Sequence, residues 1–196
     1  MKTNRLSPDI YEIEDFITLE QQQQVLDFCN SLKEEQWWTA PSENYKREFF
    51  YGKQYHGEQP KVFEEINQSI QNLFVTGWPV PNAALQRSLD HEPMQSHRDY
   101  WLKDLDYYIR YGIVIYYNDD YLGGEIEYPE LGIIHKPKER SLVLHGGNIL
   151  HGPKQVVGEK VRYFSTAFVR GSEENPITLN PEIFSEVELH DGSNYP

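Results

Sequence analysis

The chain has 196 residues and a mass of 23.1 kDa, with 38% hydrophobic and 14% aromatic residues, enough for one domain with a real core and too apolar for a chain disordered throughout. Eighteen Lys and Arg against 31 Asp and Glu leave a net charge of −13 and a pI near 4.9, which weighs against duplex nucleic acid and against an anionic membrane surface. The lone Cys29 excludes an internal disulfide and a multi-cysteine zinc site; with no apolar leader in residues 1–14 and no long apolar run, the expectation is a soluble cytoplasmic protein without a membrane span.

The first third reads as helical. Thr18-Leu19-Glu20-Gln21 has the form of a capping box, and Leu19, Val25, Leu26, Cys29 and Leu32 follow at helical spacing, predicting one buried face. Pro60 can open a second helix, in which Val62, Phe63, Ile66, Ile70, Leu73 and Phe74 recur every three or four residues. An aromatic-rich stretch with Trp37, Trp38, Tyr45, Phe49, Phe50 and Tyr51 lies between them.

After Gly77-Trp78-Pro79 the periodicity changes to that of short strands: 112–118, 125–128, 133–136, 141–145 and 161–169, separated by turn signals such as Asn118-Asp119-Asp120 and Gly123-Gly124. Short strands at this spacing indicate a sandwich, barrel or jelly roll. The fold class expected is therefore mainly β with N-terminal helices (α+β). The whole of 1–196 is expected to form a single domain, with helical support over about 15–76, a β core over about 80–170 and an acidic tail over 171–196. That tail carries Glu173, Glu174, Glu182, Glu186, Glu188 and Asp191 and no Lys or Arg; its apolar residues Ile177, Leu179, Ile183, Phe184, Val187 and Leu189 could close over the domain, or the tail could fray.

Three pieces carry chemistry. In extended chain, residues two apart point the same way, so His97 and Asp99 present an imidazole and a carboxylate side by side. His151, in Leu150-His151-Gly152, supplies a second imidazole; two His and one carboxylate on one face of a metal form the triad used by non-haem Fe(II), which leaves positions open. Arg162 opens a strand whose faces alternate as Arg162, Phe164, Thr166, Phe168 against Val161, Tyr163, Ser165, Ala167, Val169. An unpaired charge inside such a strand is costly, so Arg162 needs an anionic partner: a dicarboxylate ligand, or an internal Asp or Glu.

Taken in order, His97-Arg98-Asp99, Ile115-Tyr116-Tyr117-Asn118, Gly123-Gly124-Glu125-Ile126, Tyr128-Pro129, His151 and Arg162-Tyr163 resemble the Fe(II)- and 2-oxoglutarate-dependent dioxygenases, and within them the prolyl 4-hydroxylase subgroup. The resemblance spans about residues 85–169 and implies a double-stranded β-helix (jelly-roll) core. It implies that His97, Asp99 and His151 ligate Fe(II) and that Arg162 and Tyr116 hold the distal carboxylate of 2-oxoglutarate. It also implies that Gly123-Gly124 makes the turn into the next strand, where glycine permits positive φ. The activity implied is hydroxylation of a C–H bond with O2, coupled to decarboxylation of 2-oxoglutarate to succinate and CO2, with ascorbate as a reductant on family grounds alone. A peptidyl proline is the expected target, with a free amino acid or other small molecule as the alternative. A non-catalytic metal-binding jelly-roll protein is the rival from another class, and a zinc hydrolase on the same ligands a third. Lys160 shares the parity of Arg162 and rivals it as the anchor. His145 rivals His151 as a ligand, the Leu-His-Gly context favouring His151. His91 and His135 are expected at the surface, while Tyr100, Trp101, Tyr107, Tyr108 and Tyr111 could line a substrate mouth or pack in the core.

Overall fold

A strand's side chains alternate between two faces, so one sheet can bury two different surfaces. The computed structural model describes residues 1–39, 48–50, 60–76, 83–89, 94–99, 108–172, 174 and 176–184. In chain order these form β1 (Lys2–Ser7), β2 (Ile10–Glu14), α1 (Leu19–Ser31), β3 (Trp38–Thr39), β4 (Glu48–Phe50), α2 (Lys61–Gln71), β5 (Phe74–Thr76) and β6 (Ala84–Ser88). There follow β7 (Tyr108–Tyr116), β8 (Leu122–Gly123), β9 (Ile126–Tyr128), β10 (Ile133–His135) and β11 (Leu142–Gly146). The last are β12 (Gly152–Pro153), β13 (Val156–Val157), β14 (Arg162–Gly171), β15 (Thr178–Leu179) and α3 (Pro181–Phe184).

The major sheet has the order β1-β2-β11-β7-β14-β6-β4-β3, and β10-β9-β12 and β13-β8 form smaller sheets. One face of the major sheet packs on the helices: Ile113, Ile115 and Tyr117, Leu142 and Leu144, and Ala167 and Val169 share a buried cluster with Val25 and Cys29 of α1 and with Val62, Phe63, Ile66 and Ile70 of α2. The opposite parity (Tyr116, Val143, Phe164) packs on Ile126 and Tyr128 of the minor sheet. This is the jelly-roll core expected from the sequence, and among the described residues no helix is long and apolar enough to cross a membrane.

The capping box of α1 forms as read, with Gln21 N donating to Thr18 Oγ1 at 3.1 Å and Thr18 N donating to Gln21 Oε1 at 3.0 Å. Leu19, expected on the buried face, is 67% exposed. The buried position there is Gln22, whose Nε2 donates to Tyr117 O at 2.7 Å and to Glu139 Oε2 at 2.9 Å, tying the helix to the end of β7. Gln22→Leu should therefore lower the free energy of unfolding by about 1–3 kcal/mol, the cost of stranding a buried carbonyl, read from the urea midpoint.

The hairpin β1–β2 has no counterpart in the sequence expectation, because its outer strand is an edge of mixed polarity whose pairing with Ile10–Glu14 comes from the partner strand. The start of the tail closes over the domain. β15 pairs with β5, and Ile177, Leu179, Ile183 and Phe184 pack on the helical core. Tyr45, Tyr51, Gly77-Trp78-Pro79, Val187 and Leu189 lie outside the described residues.

Candidate active site

Backbone pairing sets the two candidate histidine ligands against each other. His97 N donates to His151 O at 2.8 Å and His151 N to His97 O at 2.9 Å, an isolated antiparallel bridge that puts the two rings 4.6 Å apart. Asp99, two residues on, turns to the same side as the extended-chain argument requires, with Oδ1 3.4 Å from His97 Nε2 and Oδ2 3.8 Å from His151 Nε2. Ligand atoms of His97, Asp99 and His151 all lie within 4.8 Å of one another, a group able to hold a metal ion. Arg98, pointing away, donates to Asn148 O and to Glu130, clamping the motif to two neighbouring loops.

The tautomers follow from the acceptors. His97 Nδ1 lies 3.1 Å from Gln95 O and His151 Nδ1 lies 3.0 Å from Ile149 O. A carbonyl can only accept, so Nδ1 of His151 carries the proton and its Nε2 lone pair faces the space beside Asp99, whereas in His97 both ring nitrogens face acceptors, Gln95 O and Asp99 Oδ1. Such outer hydrogen bonds orient metal-binding imidazoles.

Burial disfavours ionisation of Asp99, but hydrogen bonds from His145 and His97 outweigh it and hold the carboxyl well below the usual carboxylate range. Burial, with the neighbouring His145 adding to it, pushes His151 down to about 3. An unfolded His151 takes a proton near its ordinary 6.5, so between those values the unfolded chain holds the extra proton and stability present above that range declines as pH falls. Asp99 acts in the same direction at lower pH, staying ionised in the fold where the unfolded carboxyl is protonated. The metal-free protein should thus lose stability steadily from about pH 7 to about pH 4 in urea titrations, and His151→Gln should flatten that dependence.

The group of His97, Asp99 and His151 opens into a cleft of about 550 Å³ walled by Val114, Ile126, Pro153, Phe164 and Phe168, with Tyr116 and Arg162 also lining it. The alternation read for β14 holds: Arg162, Phe164, Thr166 and Phe168 all face this cleft. Arg162 is 3% exposed. Its Nη1 donates to Gly124 O at 3.1 Å, its Nη2 to Ser88 Oγ at 3.1 Å, and its guanidinium lies 4.7 Å from the Phe164 ring centroid. Among the described residues its Nε has no hydrogen-bond partner and no carboxylate forms an ion pair with it. Gly123 and Gly124 adopt φ of 69° and 70°, the positive values expected of this turn, and so aim the Gly124 carbonyl at Arg162. Ser88, which sequence reasoning did not single out, meets Arg162 because β6 and β14 pair in the register Arg162↔Ser88.

Other sequence candidates fall elsewhere. Lys160 pairs with Asp120 at 3.0 Å with its side chain 68% exposed, away from the cleft. His135, expected at the surface, is buried against Glu12 at 3.1 Å, because β2 and β10 both turn these residues inward. Tyr111 packs in the helical core, and Tyr108 is exposed at the start of β7; His91, Tyr100, Trp101 and Tyr107 lie outside the described residues. His145, weighed as a rival ligand, is buried in the site with Nε2 3.2 Å from Asp99 Oδ2. Its parity with Val143 on β11 is the signal that places it inside.

No family model matches the chain, and no curated protein matches it. Solved structures do match. A viral collagen prolyl hydroxylase from Paramecium Bursaria Chlorella virus-1, in complex with 2-oxoglutarate, is 14% identical with a TM-score of 0.61, over 84% of this chain and 97% of that one. A prolyl hydroxylase from Trichoplax adhaerens, in complex with a peptide fragment of the hypoxia inducible factor oxygen degradation domain, is 12% identical with a TM-score of 0.64, over 83% of this chain and 84% of that one. HygX from Streptomyces hygroscopicus, with nickel and 2-oxoglutarate bound, is 12% identical with a TM-score of 0.57, over 84% and 83%. The chain has the jelly-roll fold of the prolyl hydroxylases and 2-oxoglutarate–Fe(II) oxygenases.

Proposed function

We propose that the chain is an Fe(II)- and 2-oxoglutarate-dependent dioxygenase that hydroxylates a C–H bond of a peptidyl proline, releasing succinate and CO2. His97, Asp99 and His151 would hold the iron, and Arg162 with Tyr116 would hold the distal carboxylate of 2-oxoglutarate. The observation that carries this reading is Arg162, a guanidinium buried in the same cleft as the metal-binding group with its Nε unsatisfied and no carboxylate beside it among the described residues. A buried cation of this kind is stable when an anion completes it, and a guanidinium meets a carboxylate through two parallel hydrogen bonds. A binding module without a diacid ligand would have no use for it.

The donor set fits Fe(II) as well. Three protein donors leave three of about six positions open, enough for a chelating cosubstrate and a gas molecule. When bound, iron would activate O2, the oxidant, and 2-oxoglutarate would supply two of the electrons for its reduction on decarboxylation to succinate. The chain's own part is to orient and to exclude water. Gln95 O and Ile149 O fix the imidazole rings, Gly124 O and Ser88 Oγ aim the guanidinium, and Val114, Ile126, Phe164 and Phe168 wall the cleft with apolar surface. For the substrate, the exposed Phe168 and nearby Pro153 give the cleft an apolar wall suited to a pyrrolidine ring, and the Trichoplax neighbour holds a peptide.

The test is anaerobic addition of Fe(II) and 2-oxoglutarate. The weak visible charge-transfer band of the ternary complex should form with wild type, vanish in His151→Ala and weaken in Arg162→Ala. No band with wild type would defeat the proposal in favour of a non-catalytic metal binder. Under air, proline-rich peptides should gain the mass of one oxygen. Succinate release without that gain would keep the chemistry and move the substrate to a free amino acid or other small molecule.

A further inference from the structure

Among the described residues, His145 is the one imidazole in the cleft that the proposed function leaves unassigned, and its surroundings differ from those of His97 and His151. Their Nδ1 atoms face carbonyls and their Nε2 atoms face the candidate metal position. In His145, Nδ1 faces not a carbonyl but the hydroxyl of the buried Tyr128 at 3.5 Å, and Nε2 faces an acceptor, Asp99 Oδ2, at 3.2 Å. An ionised carboxylate can only accept, so His145 Nε2 carries the proton and has no lone pair to give a metal. Nδ1 is then the acceptor, and the Tyr128 hydroxyl is the donor that supports it.

The backbone beneath this contact is built to admit it. Gly112 lies on β7 between His145 of β11 and Phe168 of β14. A Cβ at Gly112 would come within 2.4 Å of Asp99 Oδ2 and 2.6 Å of His145 Nε2. Its φ is not positive, so glycine is needed there for room and not for backbone conformation.

We infer that His145 is a positioning residue for the metal centre: seated in the space left by Gly112 and backed by Tyr128, it occupies Oδ2 of Asp99 by hydrogen bond and so presents the carboxylate to the metal through Oδ1 alone. One-oxygen ligation by Asp99 keeps a coordination position free that two-oxygen ligation would fill. This rests on the proposed metal site, and the tests below separate the two.

Two-bond 1H–15N correlation NMR of the metal-free wild type, at mildly alkaline pH, reads the tautomers directly and needs no variant. The expected pattern is one buried histidine protonated at Nε2, assigned by its loss in His145→Phe, alongside His151 protonated at Nδ1. A His145 protonated at Nδ1 would overturn the inference. Co(II) titration then reads function, by calorimetry and by the cobalt d–d spectrum. His145→Phe, which keeps a ring but loses the donor, should weaken Co(II) binding by about 10–100-fold and change the spectrum. His145→Gln, whose amide places an N–H near the position of Nε2, should recover affinity to within about threefold. Equal binding by wild type and His145→Phe, or no recovery in His145→Gln, would reject the positioning role. Loss of one nitrogen donor from the cobalt X-ray absorption of His145→Phe would make His145 a ligand and also reject it. Failure of wild type to bind Co(II), with His97→Ala indistinguishable from it, would instead remove the metal site and this inference with it.

Discussion

Replacing Arg162 with methionine is expected to weaken binding of 2-oxoglutarate severely while leaving the fold of the ligand-free protein nearly as stable as before. Two effects oppose each other in the ligand-free state. Removing the side chain strands Ser88 Oγ and Gly124 O, at about 1 kcal/mol each for neutral hydrogen bonds. It also removes a buried charge that has no carboxylate partner among the described residues, and exchanging such charges for apolar groups of similar volume is often neutral or stabilising. The melting temperature without ligand should therefore move by only a few degrees in either direction. With ligand the balance is one-sided. Truncating one partner of a buried hydrogen-bonded charge pair costs about 2–5 kcal/mol, a rise in Kd of roughly 30- to several-thousand-fold. Thermal shifts with Mn(II), with and without 2-oxoglutarate, should show a ligand-dependent rise in wild type and none in Arg162→Met. Arg162→Lys should fall between, because lysine keeps the charge without the fork that reaches Gly124 and Ser88 together. An arginine serving only the fold would behave differently: its loss would lower the ligand-free melting temperature sharply and leave the ligand-induced rise in place.

Gly112→Ala should strike the candidate metal site directly. Alanine tolerates the backbone conformation, so the penalty is steric. The strand cannot retreat, since β7 is held between β11 and β14 at this position, and the two atoms in the way are Asp99 Oδ2 and His145 Nε2. Side chains must therefore yield, and the one that moves most easily is the carboxylate that would bind the metal. Overpacking of this kind costs about 1–3 kcal/mol of stability. Metal affinity should fall by on the order of 100-fold or more, because the displaced group would itself be a ligand. Competition with a coloured chelator measures the affinity, and urea unfolding of the same sample measures the stability. Retention of metal affinity within a few-fold of wild type would show that Asp99 is not held where the geometry places it.

The fold was legible wherever one residue type meets one periodicity. Val62, Phe63, Ile66 and Ile70 specify the buried face of α2 through helical spacing alone, and Thr18 with Gln21 specifies where α1 starts, because both depend on local geometry. The alternation of β14 likewise places Arg162, Phe164, Thr166 and Phe168 on one face before any partner strand is known. Legibility failed where the decisive neighbour is remote in sequence. Leu19 looked like a core residue from its position on the helix, but the side of α1 that is buried is set by where β7 ends, and there Gln22 finds two acceptors. His135 looked like a surface histidine because nothing adjacent explains it. Its partner Glu12 lies in the N-terminal hairpin, more than a hundred residues away along the chain.

The sequence by itself determined the chemical inventory and its order: an imidazole and a carboxylate two residues apart at His97 and Asp99, the distant His151, and Arg162 on an apolar strand, because residue identity and short-range spacing are all those features require. Only the tertiary structure decided which nitrogen of each histidine faces inward, that Arg162 is buried beside Ser88 and Gly124 without a carboxylate ion pair among the described residues, and that Gly112 leaves room for His145 to reach Asp99. The reason is that a hydrogen bond's direction, a charge's solvation and the space around a Cα are properties of neighbours brought in from other strands. No local pattern encodes them; the register of β6, β7, β11 and β14 does.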